Sequence, residues 1–469
     1  MSVPAWVNEA IFYQIFPDRF ANGDTNNDPP NIQPWGSPPT LWGFQGGDLE
    51  GIRQHLDYLA DLGVNALYLT PIFMASSNHR YNTYDYFRID PKLGTLEDFR
   101  RLLEDVHARG MRLILDGVFN HCGRGFFAFN DIIENQEHSP YRDWFHIKQF
   151  PIRPYDAGDA HSYVGWWRMK SLPKFNTDNP HVRTYLLDVV RYWTEVGIDG
   201  WRLDVPNEIN DDSFWADFRE TVRGVNPEAY LLGEIWNVEP RWVSPNHFDG
   251  LMNYPLREAL LTFVGEGSIP ATAFAQHLNH LLGAYPRENV FAQYLLLGSH
   301  DIPRIRTLLE GDDRRLKLLQ MVQFTFPGVP AIYYGDEIGL EGEKDPDCRR
   351  AFPWDDHAWN REQRAFTSRL IGIRKSTPEL KHGWLEVVHA DDALGVIAMV
   401  RGDGAGAVLL ALNASGQKSE IHIPAEKLGW GPDRPVENLL TGEKAGPPGA
   451  SLALHLKPWE GVLLRPVMD

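Results

Sequence analysis

Short apolar runs alternate with amphipathic stretches from residue 10 to residue 376, and few folds accept that rhythm over such a length. Residues 10–16 (AIFYQIF), 66–69, 113–118, 200–205, 230–233, 291–297 and 331–334 read as buried strands, with a weaker one at 250–252. Residues 49–62, 96–108, 182–196, 213–225, 314–324 and 361–376 carry apolar residues at helical spacing. Strands separated by helices pair in parallel, because each helix returns the chain to the same end of the sheet. Eight such strands predict an α/β fold, a (β/α)8 TIM barrel. An open, doubly wound sheet gives the same alternation, so the pattern leaves closure undecided.

The rhythm breaks twice. Residues 120–178, after the third strand, are rich in His, Trp and Pro and poor in periodicity, which predicts a small inserted domain rather than a loop. From Gly383 onward WLEVV, LGVIAMV, AVLLALN, EIHIP and GVLLRP are short strands separated by Gly, Pro and Asp, as in a C-terminal antiparallel β-sandwich. The expected organisation is a barrel over 1–119 and 179–380, an insert over 120–178 and a sandwich over 381–469.

With 45 Lys plus Arg against 63 Asp plus Glu, the formal charge is −18. Such a surface repels phosphate backbones and anionic lipid, so neither nucleic acid nor membrane is an expected partner. The 16 Trp suit a core, and they also suit sugars, whose C–H faces stack on rings. Cys122 and Cys348 cannot build a disulfide framework or a metal site and read as free thiols. The first residues lack the basic and apolar regions of a leader, and no apolar run approaches the roughly 18 residues of a membrane span. The expectation is a cytoplasmic protein, or a secreted one whose leader has been removed. Gly402–Ala407 (GDGAGA) matches a dinucleotide-loop pattern, but strands flank it on both sides, so it reads as a hairpin turn and no organic cofactor is expected. Asn413-Ala414-Ser415 fits a glycosylation sequon without other signs of secretion.

Barrel enzymes work at the C-terminal ends of their strands, so polar residues just past apolar runs are the candidates. The third strand ends in Asp116-Gly117-Val118-Phe119-Asn120-His121, the fourth is Gly200-Trp201-Arg202-Leu203-Asp204, the fifth ends in Glu234 and the seventh in His300-Asp301. Each carboxylate alone reads as readily as a helix cap or salt-bridge partner. Together at equivalent rim positions they make a site. Arg202 lies two residues before Asp204, so on a strand both side chains point into the barrel mouth, where Arg202 is expected to keep Asp204 ionised.

DGVFNH, GWRLDVPNE, LLGEIW and LLGSHD resemble, in order, the signature segments of the α-amylase family (glycoside hydrolase family 13). GGDLEGI (46–52), LPKFN (172–176) and GVPAIYYGDEIG (328–339) are similar to its accessory segments, and the match runs over essentially the whole chain. LPKFN and DVPNE most resemble the neopullulanase, cyclomaltodextrinase and maltogenic amylase branch. The resemblance implies that Asp204 is the nucleophile, Glu234 the acid/base and Asp301 a third carboxylate binding ring hydroxyls. Glu234 must then stay protonated near neutral pH. His121 and His300 would hydrogen-bond sugar hydroxyls, and Asp116 would support Arg202. Tyr81, in HRYNTYDY, matches a sugar-stacking tyrosine, although Asn82 stands where the family usually has Asp. Asp345 and Arg349 resemble a pair that holds the neighbouring sugar, with a surface ion pair as the alternative. Glu208 and Trp236 resemble residues of the leaving-group side; a helix-start carboxylate and a packing residue are the plainer alternatives.

Residues 22–28 (NGDTNND) pack side-chain oxygens at short spacing, as calcium requires, without the Gly and Glu positions of an EF-hand. In the similar branch this loop and the GGD segment bind a structural Ca2+, which maps to Asn22, Asp24, Asn27, Asp28, Gly46 and Asp48. An Asx-rich turn without metal is the alternative.

The implied function is a retaining α-glucan hydrolase. It would cleave α-1,4-glucosidic bonds in maltooligosaccharides or cyclomaltodextrins through a covalent glycosyl-enzyme, with some transglycosylation. A glucan transferase or disaccharide isomerase on the same scaffold is the alternative, and a non-catalytic amylase-like binding subunit a remote one. The branch usually carries an extra β-domain ahead of the barrel. Here the first strand begins at residue 10, so a more open cleft is expected, with monomer or homodimer undetermined.

Overall fold

A computed structural model describes residues 3–431 and 433–467. Its first ten strands are β1 (Phe12–Ile15), β2 (Ala66–Leu69), β3 (Phe73–Ala75), β4 (Thr83–Ile89), β5 (Arg112–Gly117), β6 (Gly200–Leu203), β7 (Tyr230–Gly233), β8 (Gly250–Leu251), β9 (Tyr294–Leu296) and β10 (Val329–Tyr333). Eight of them pair in parallel in the order β8-β7-β6-β5-β2-β1-β10-β9. Met252, just past β8, forms a parallel bridge to Tyr294 of β9, and the Asn253 N–H donates to the Tyr294 carbonyl at 2.9 Å. That contact joins the two ends of the sheet, so the strands form a TIM barrel rather than an open sheet.

Some boundaries differ from the expectation. Helix 49–62 is two helices, Leu49–Gln54 and Leu56–Leu62, broken at His55. The run 291–297 opens on the end of a helix, Arg287–Phe291, and only Tyr294–Leu296 is strand. The antiparallel hairpin β3–β4 and the helices Tyr254–Leu260 and Ala271–Gly283 are additions. Short runs buried on all sides carry no period that separates helix from strand.

Parity along the strands sorts the side chains. Phe12, Ala66, Ile114, Tyr230, Leu232, Leu296 and Ala331 fill the barrel interior with Met252 and Tyr294. Their neighbours Tyr13, Ile15, Leu67, Leu69, Leu113, Leu115, Trp201 and Leu203 pack outward under the helices. Two residues further up the inward faces stand Gln14, Tyr68, Asp116 and Glu234, and Arg202 joins them from β6; all are buried. Gly200 brings β6 and β7 together, since a Cβ there would lie 2.2 Å from the Tyr230 carbonyl oxygen. Any larger residue would push Arg202 away from Glu234.

After β5 the chain leaves the barrel, forms the helix Phe127–Asn135 and folds back on itself through bridges His121–Lys174, Phe145–Phe175, Ile147–Tyr163 and Gly165–Pro173. These bridges set His121 beside Lys174 at the barrel mouth. The C-terminal region holds β11 (Leu385–Asp391), β12 (Val396–Arg401), β13 (Val408–Asn413), β14 (Ser419–Pro424), β15 (Val436–Asn438), β16 (Lys444–Ala445), β17 (Ser451–Leu456) and β18 (Gly461–Pro466). One sheet runs β11-β12-β13-β18-β15-β16, and the pair β14-β17 shares its apolar core through Ile421, Ile423, Leu454 and Leu456. A short 3-10 turn, Gly404–Gly406, connects β12 to β13 where the glycine-rich segment lies. Among the described residues no helix is long and apolar enough to cross a membrane.

Candidate active site

The barrel mouth is organised by one guanidinium. Arg202 Nη1 donates to both Asp116 oxygens at 2.9 and 3.0 Å and to Asp204 Oδ1 at 3.1 Å, while Nη2 lies 3.0 Å from Glu234 Oε2. Asp204 and Glu234 therefore grip two nitrogens of the same rigid group, and their carboxylates lie well within a nanometre of each other. That bound admits the roughly 5 Å spacing of a retaining carboxylate pair. Asp116 also accepts from the hydroxyls of Tyr68 at 2.6 Å and Tyr81 at 2.8 Å, which leaves it a supporting role.

Backbone strain aims Glu234. Val205, a β-branched residue, sits in the left-handed region at φ 35°, ψ 51°, where its N–H donates to Glu234 Oε2 at 2.9 Å. Such a conformation costs about 1–3 kcal/mol and persists only where the surroundings enforce it. The other oxygen accepts from Trp236 Nε1 at 3.2 Å, and the Trp236 ring lies on Tyr254 at 3.8 Å and 6°. Trp236 is thus tied to Glu234, not merely packed, and remains 45% exposed.

Burial pushes Asp204 well above the usual carboxylate range; Arg202 pulls it down, but Glu234, Asp116 and Asp301 push it further up. Burial likewise raises Glu234, Asp116 and Asp301, against the pull of Arg202. Arg202 favours the ionised form of Asp204, in the expected direction, while burial and the neighbouring carboxylates oppose it. One guanidinium is divided among Asp116, Asp204 and Glu234, so this crowded group retains a proton where isolated carboxylates would have lost theirs.

A second chain of contacts runs along the rim. The Gln14 amide donates to His300 Nδ1 at 2.8 Å, which leaves a proton on Nε2, facing the Tyr81 hydroxyl at 2.5 Å and Asp301 Oδ2 at 3.2 Å. Burial drives the His300 pKa well below 6.5, so the ring is neutral. Tyr81 and His300 stack with centroids 5.3 Å apart at 1°. Arg349 is buried; its Nη1 lies 3.0 Å from Asp345 Oδ1, its Nη2 3.6 Å from Asp301 Oδ1, and its Nε donates to the His300 carbonyl at 2.8 Å. Asp345 and Arg349 thus extend the site rather than forming a surface ion pair.

His121 is buried and held near a pKa of about 3 by desolvation, and its Nε2 has no protein partner. A neutral, orphaned imidazole at a cleft is available to a ligand hydroxyl. Its ring stacks on Trp166 at 5.2 Å, and Trp166 stacks on the exposed Trp167 at 4.7 Å. Glu208 lies in the 3-10 turn Pro206–Glu208, where its carbonyl accepts from Lys174 Nζ at 2.6 Å and its carboxylate lies 3.5 Å from the same nitrogen. Val205, Gln14, Tyr254 and Lys174 are site residues that the sequence reading missed. Lys174 lies inside LPKFN and Val205 inside DVPNE, whereas Gln14 and Tyr254 carried no sequence signal.

In the loop segment, Asp48 accepts from the Gly23, Asp24 and Gly51 N–H groups at 3.0, 2.8 and 2.6 Å and from Asn27 Nδ2 at 2.9 Å, capping the helix Leu49–Gln54. Asp24 caps its own turn by accepting from the Asn26 N–H at 3.0 Å. Asn22 Nδ2 donates to Asp28 Oδ1 at 2.9 Å, yet the amide oxygens of Asn22 and Asn27 are buried without a partner. Gly46, at φ +85°, lets its backbone approach the Asn22–Asp28 pair: a Cβ there would lie 2.4 Å from Asp28 Oδ1 and 2.5 Å from Asn22 Nδ2. Orphaned amide oxygens beside a carboxylate suit a hard cation.

A family model described as the alpha amylase catalytic domain matches residues 14–379. Over 465 residues the chain is 45% identical to a cyclomaltodextrinase of Geobacillus thermopakistaniensis (strain MAS1), covering 98% of this chain and 77% of that protein. It is 41% identical over 465 residues to neopullulanase 2 of Thermoactinomyces vulgaris, covering 99% and 78%. The structure of a cyclic alpha-maltosyl-(1→6)-maltose hydrolase of Arthrobacter globiformis, in complex with that sugar, superposes with a TM-score of 0.89 at 39% identity, covering 99% of this chain and all of that one. Kinship on this scale reaches through the barrel, the insert and the C-terminal sheets alike, and the chain therefore belongs to the α-amylase family, as one of its hydrolases.

Proposed function

We propose that the protein is a retaining α-glucan hydrolase that cleaves α-1,4-glucosidic bonds in maltooligosaccharides and cyclomaltodextrins and passes part of its glycosyl groups to sugar acceptors. The observation that carries this reading is the shared grip of Arg202 on Asp204 and Glu234. In it, Glu234 protonates the glycosidic oxygen as Asp204 attacks the anomeric carbon, forming a glycosyl ester. Glu234 then takes a proton from the water that breaks the ester. Asp301, His300 and His121 hold hydroxyls of the reacting sugar, with Tyr81 against its face. Asp345 and Arg349 hold the next sugar, while Trp236 and Glu208 line the leaving-group side.

A calcium ion would be held by Asn22, Asp24, Asn27, Asp28, Asp48 and the Gly46 backbone, fixing the loop without touching the reaction. Asp48 and Asp24 serve this loop as caps. Buried free Cys122 and Cys348 suit a reducing compartment, and we place the reaction in the cytoplasm.

The test compares rates on a cyclomaltodextrin, a linear maltooligosaccharide of equal glucose number, pullulan and starch, with reducing ends counted. A ring opened faster than its linear counterpart, with rising reducing ends, supports the reading. Constant reducing ends would favour a transferase or isomerase and overturn it.

A further inference from the structure

Trp42 is the most exposed large apolar side chain among the described residues, at 79%, and its neighbour Leu41 is 52% exposed. A tryptophan left in water forfeits the large burial such a ring offers, so its place calls for a reason. Its backbone is not loose. Asn78, itself buried, donates from Nδ2 to the Leu41 carbonyl at 3.2 Å and the Gly43 carbonyl at 2.8 Å. Buried Arg19 donates from Nη2 to the same Gly43 carbonyl at 2.7 Å. Inward donors thus pin the turn on both sides of a ring that faces solvent.

The ring opens onto the cleft. Leu41 and Trp42 line one cavity together with His79, Asp345, Pro346 and Arg349. Arg349 connects this cavity to the reacting centre, since it contacts Asp345 and Asp301 together. Asp301 is thus linked through Arg349 to the cavity that Asp345 and Trp42 share. Two apolar side chains are far too few for a protein interface, which buries roughly 800 Å² on each partner. One apolar ring beside an ion pair matches a pyranose instead, with its C–H face on the indole and its hydroxyls toward the charges.

We infer that Trp42 is a stacking platform for the glucosyl unit beyond the one held by Asp345 and Arg349, and so sets a preference for longer chains. This deepens the proposed hydrolase reading and rests on its placing of those two residues.

The test uses aryl glycosides, whose nitrophenol release fixes which bond is cut. p-Nitrophenyl α-maltoside ends at the Asp345–Arg349 position, and the α-maltotrioside reaches Trp42. The ratio of kcat/KM, trioside over maltoside, is expected to fall roughly 3- to 10-fold in Trp42→Ala, through KM, and to stay within about twofold of wild type in Trp42→Phe. An unchanged ratio in Trp42→Ala, including a proportional loss on both substrates, overturns the inference. Calorimetric binding of maltotriose and maltose to the Glu234→Gln protein gives the same ratio without turnover. A wild-type chain that cleaves neither glycoside would thus count against the hydrolase reading, while the binding ratio still decides Trp42.

Discussion

The lower and upper halves of the barrel interior are built by the same strands at the same parity, yet one is an apolar plug and the other a cluster of charges. Below, Phe12, Ala66, Ile114 and Leu232 pack on one another, each large side chain contributing about 1.5–3 kcal/mol by burial. Two residues above, Gln14, Tyr68, Asp116 and Glu234 are just as buried, but there burial opposes ionisation and a single arginine offsets it. The barrel holds its mouth in an unfavourable electrostatic state because its base is rigid enough to do so.

The sharpest way to break this contrast is at its boundary. Glu234→Gln should lower turnover about 10²- to 10⁴-fold in a reducing-sugar assay. Thermal melting should stay level or rise, since one crowded carboxyl becomes neutral; a Tm that collapses with activity would erase the distinction. The mirror experiment is Leu232→Ala, two residues below. It should cost about 2–5 kcal/mol in denaturant unfolding while the folded enzyme keeps its kcat within a few fold.

A smaller effect concerns protons. Burial holds His79 and His121 at about 3, against 6.5 for a free histidine. Between those values the unfolded chain binds protons that the folded chain refuses. Stability contributed by these rings is complete above pH 6.5 and lost as pH falls toward 3. His121→Asn should flatten that acid limb in a series of melts, and an identical slope would refute the assignment. The smallest expected change lies away from both halves. Chelation by EGTA should lower Tm by about 1–2 °C, reversed by added calcium and absent in Asp28→Asn, with room-temperature turnover unmoved. No shift in wild type would remove the ion.

Much of this contrast is legible in the residue order. Parity alone places Arg202 and Asp204 on one face, and the alternation of runs yields the strands. Ring closure is not legible, because it depends on Met252 meeting Tyr294, a contact between two short segments without periodicity. Val205 is invisible for another reason: nothing in a valine's identity announces a positive φ, and the strain exists only once Glu234 is in place. The crowding around Asp204 is hidden as well: sequence displays its adjacent Arg202 but not that Asp116 and Glu234 share that arginine.

The measurement closest to the central claim is chemical trapping. A maltosyl fluoride needs no acid to lose its leaving group, so the Glu234→Gln protein should accept the sugar yet lack the base to release it. Peptide mass spectrometry should then find one glycosyl adduct on the peptide bearing Asp204. An adduct on another carboxylate, or none at all with a wild-type product of inverted anomeric configuration, would contradict the pairing of Asp204 with Glu234.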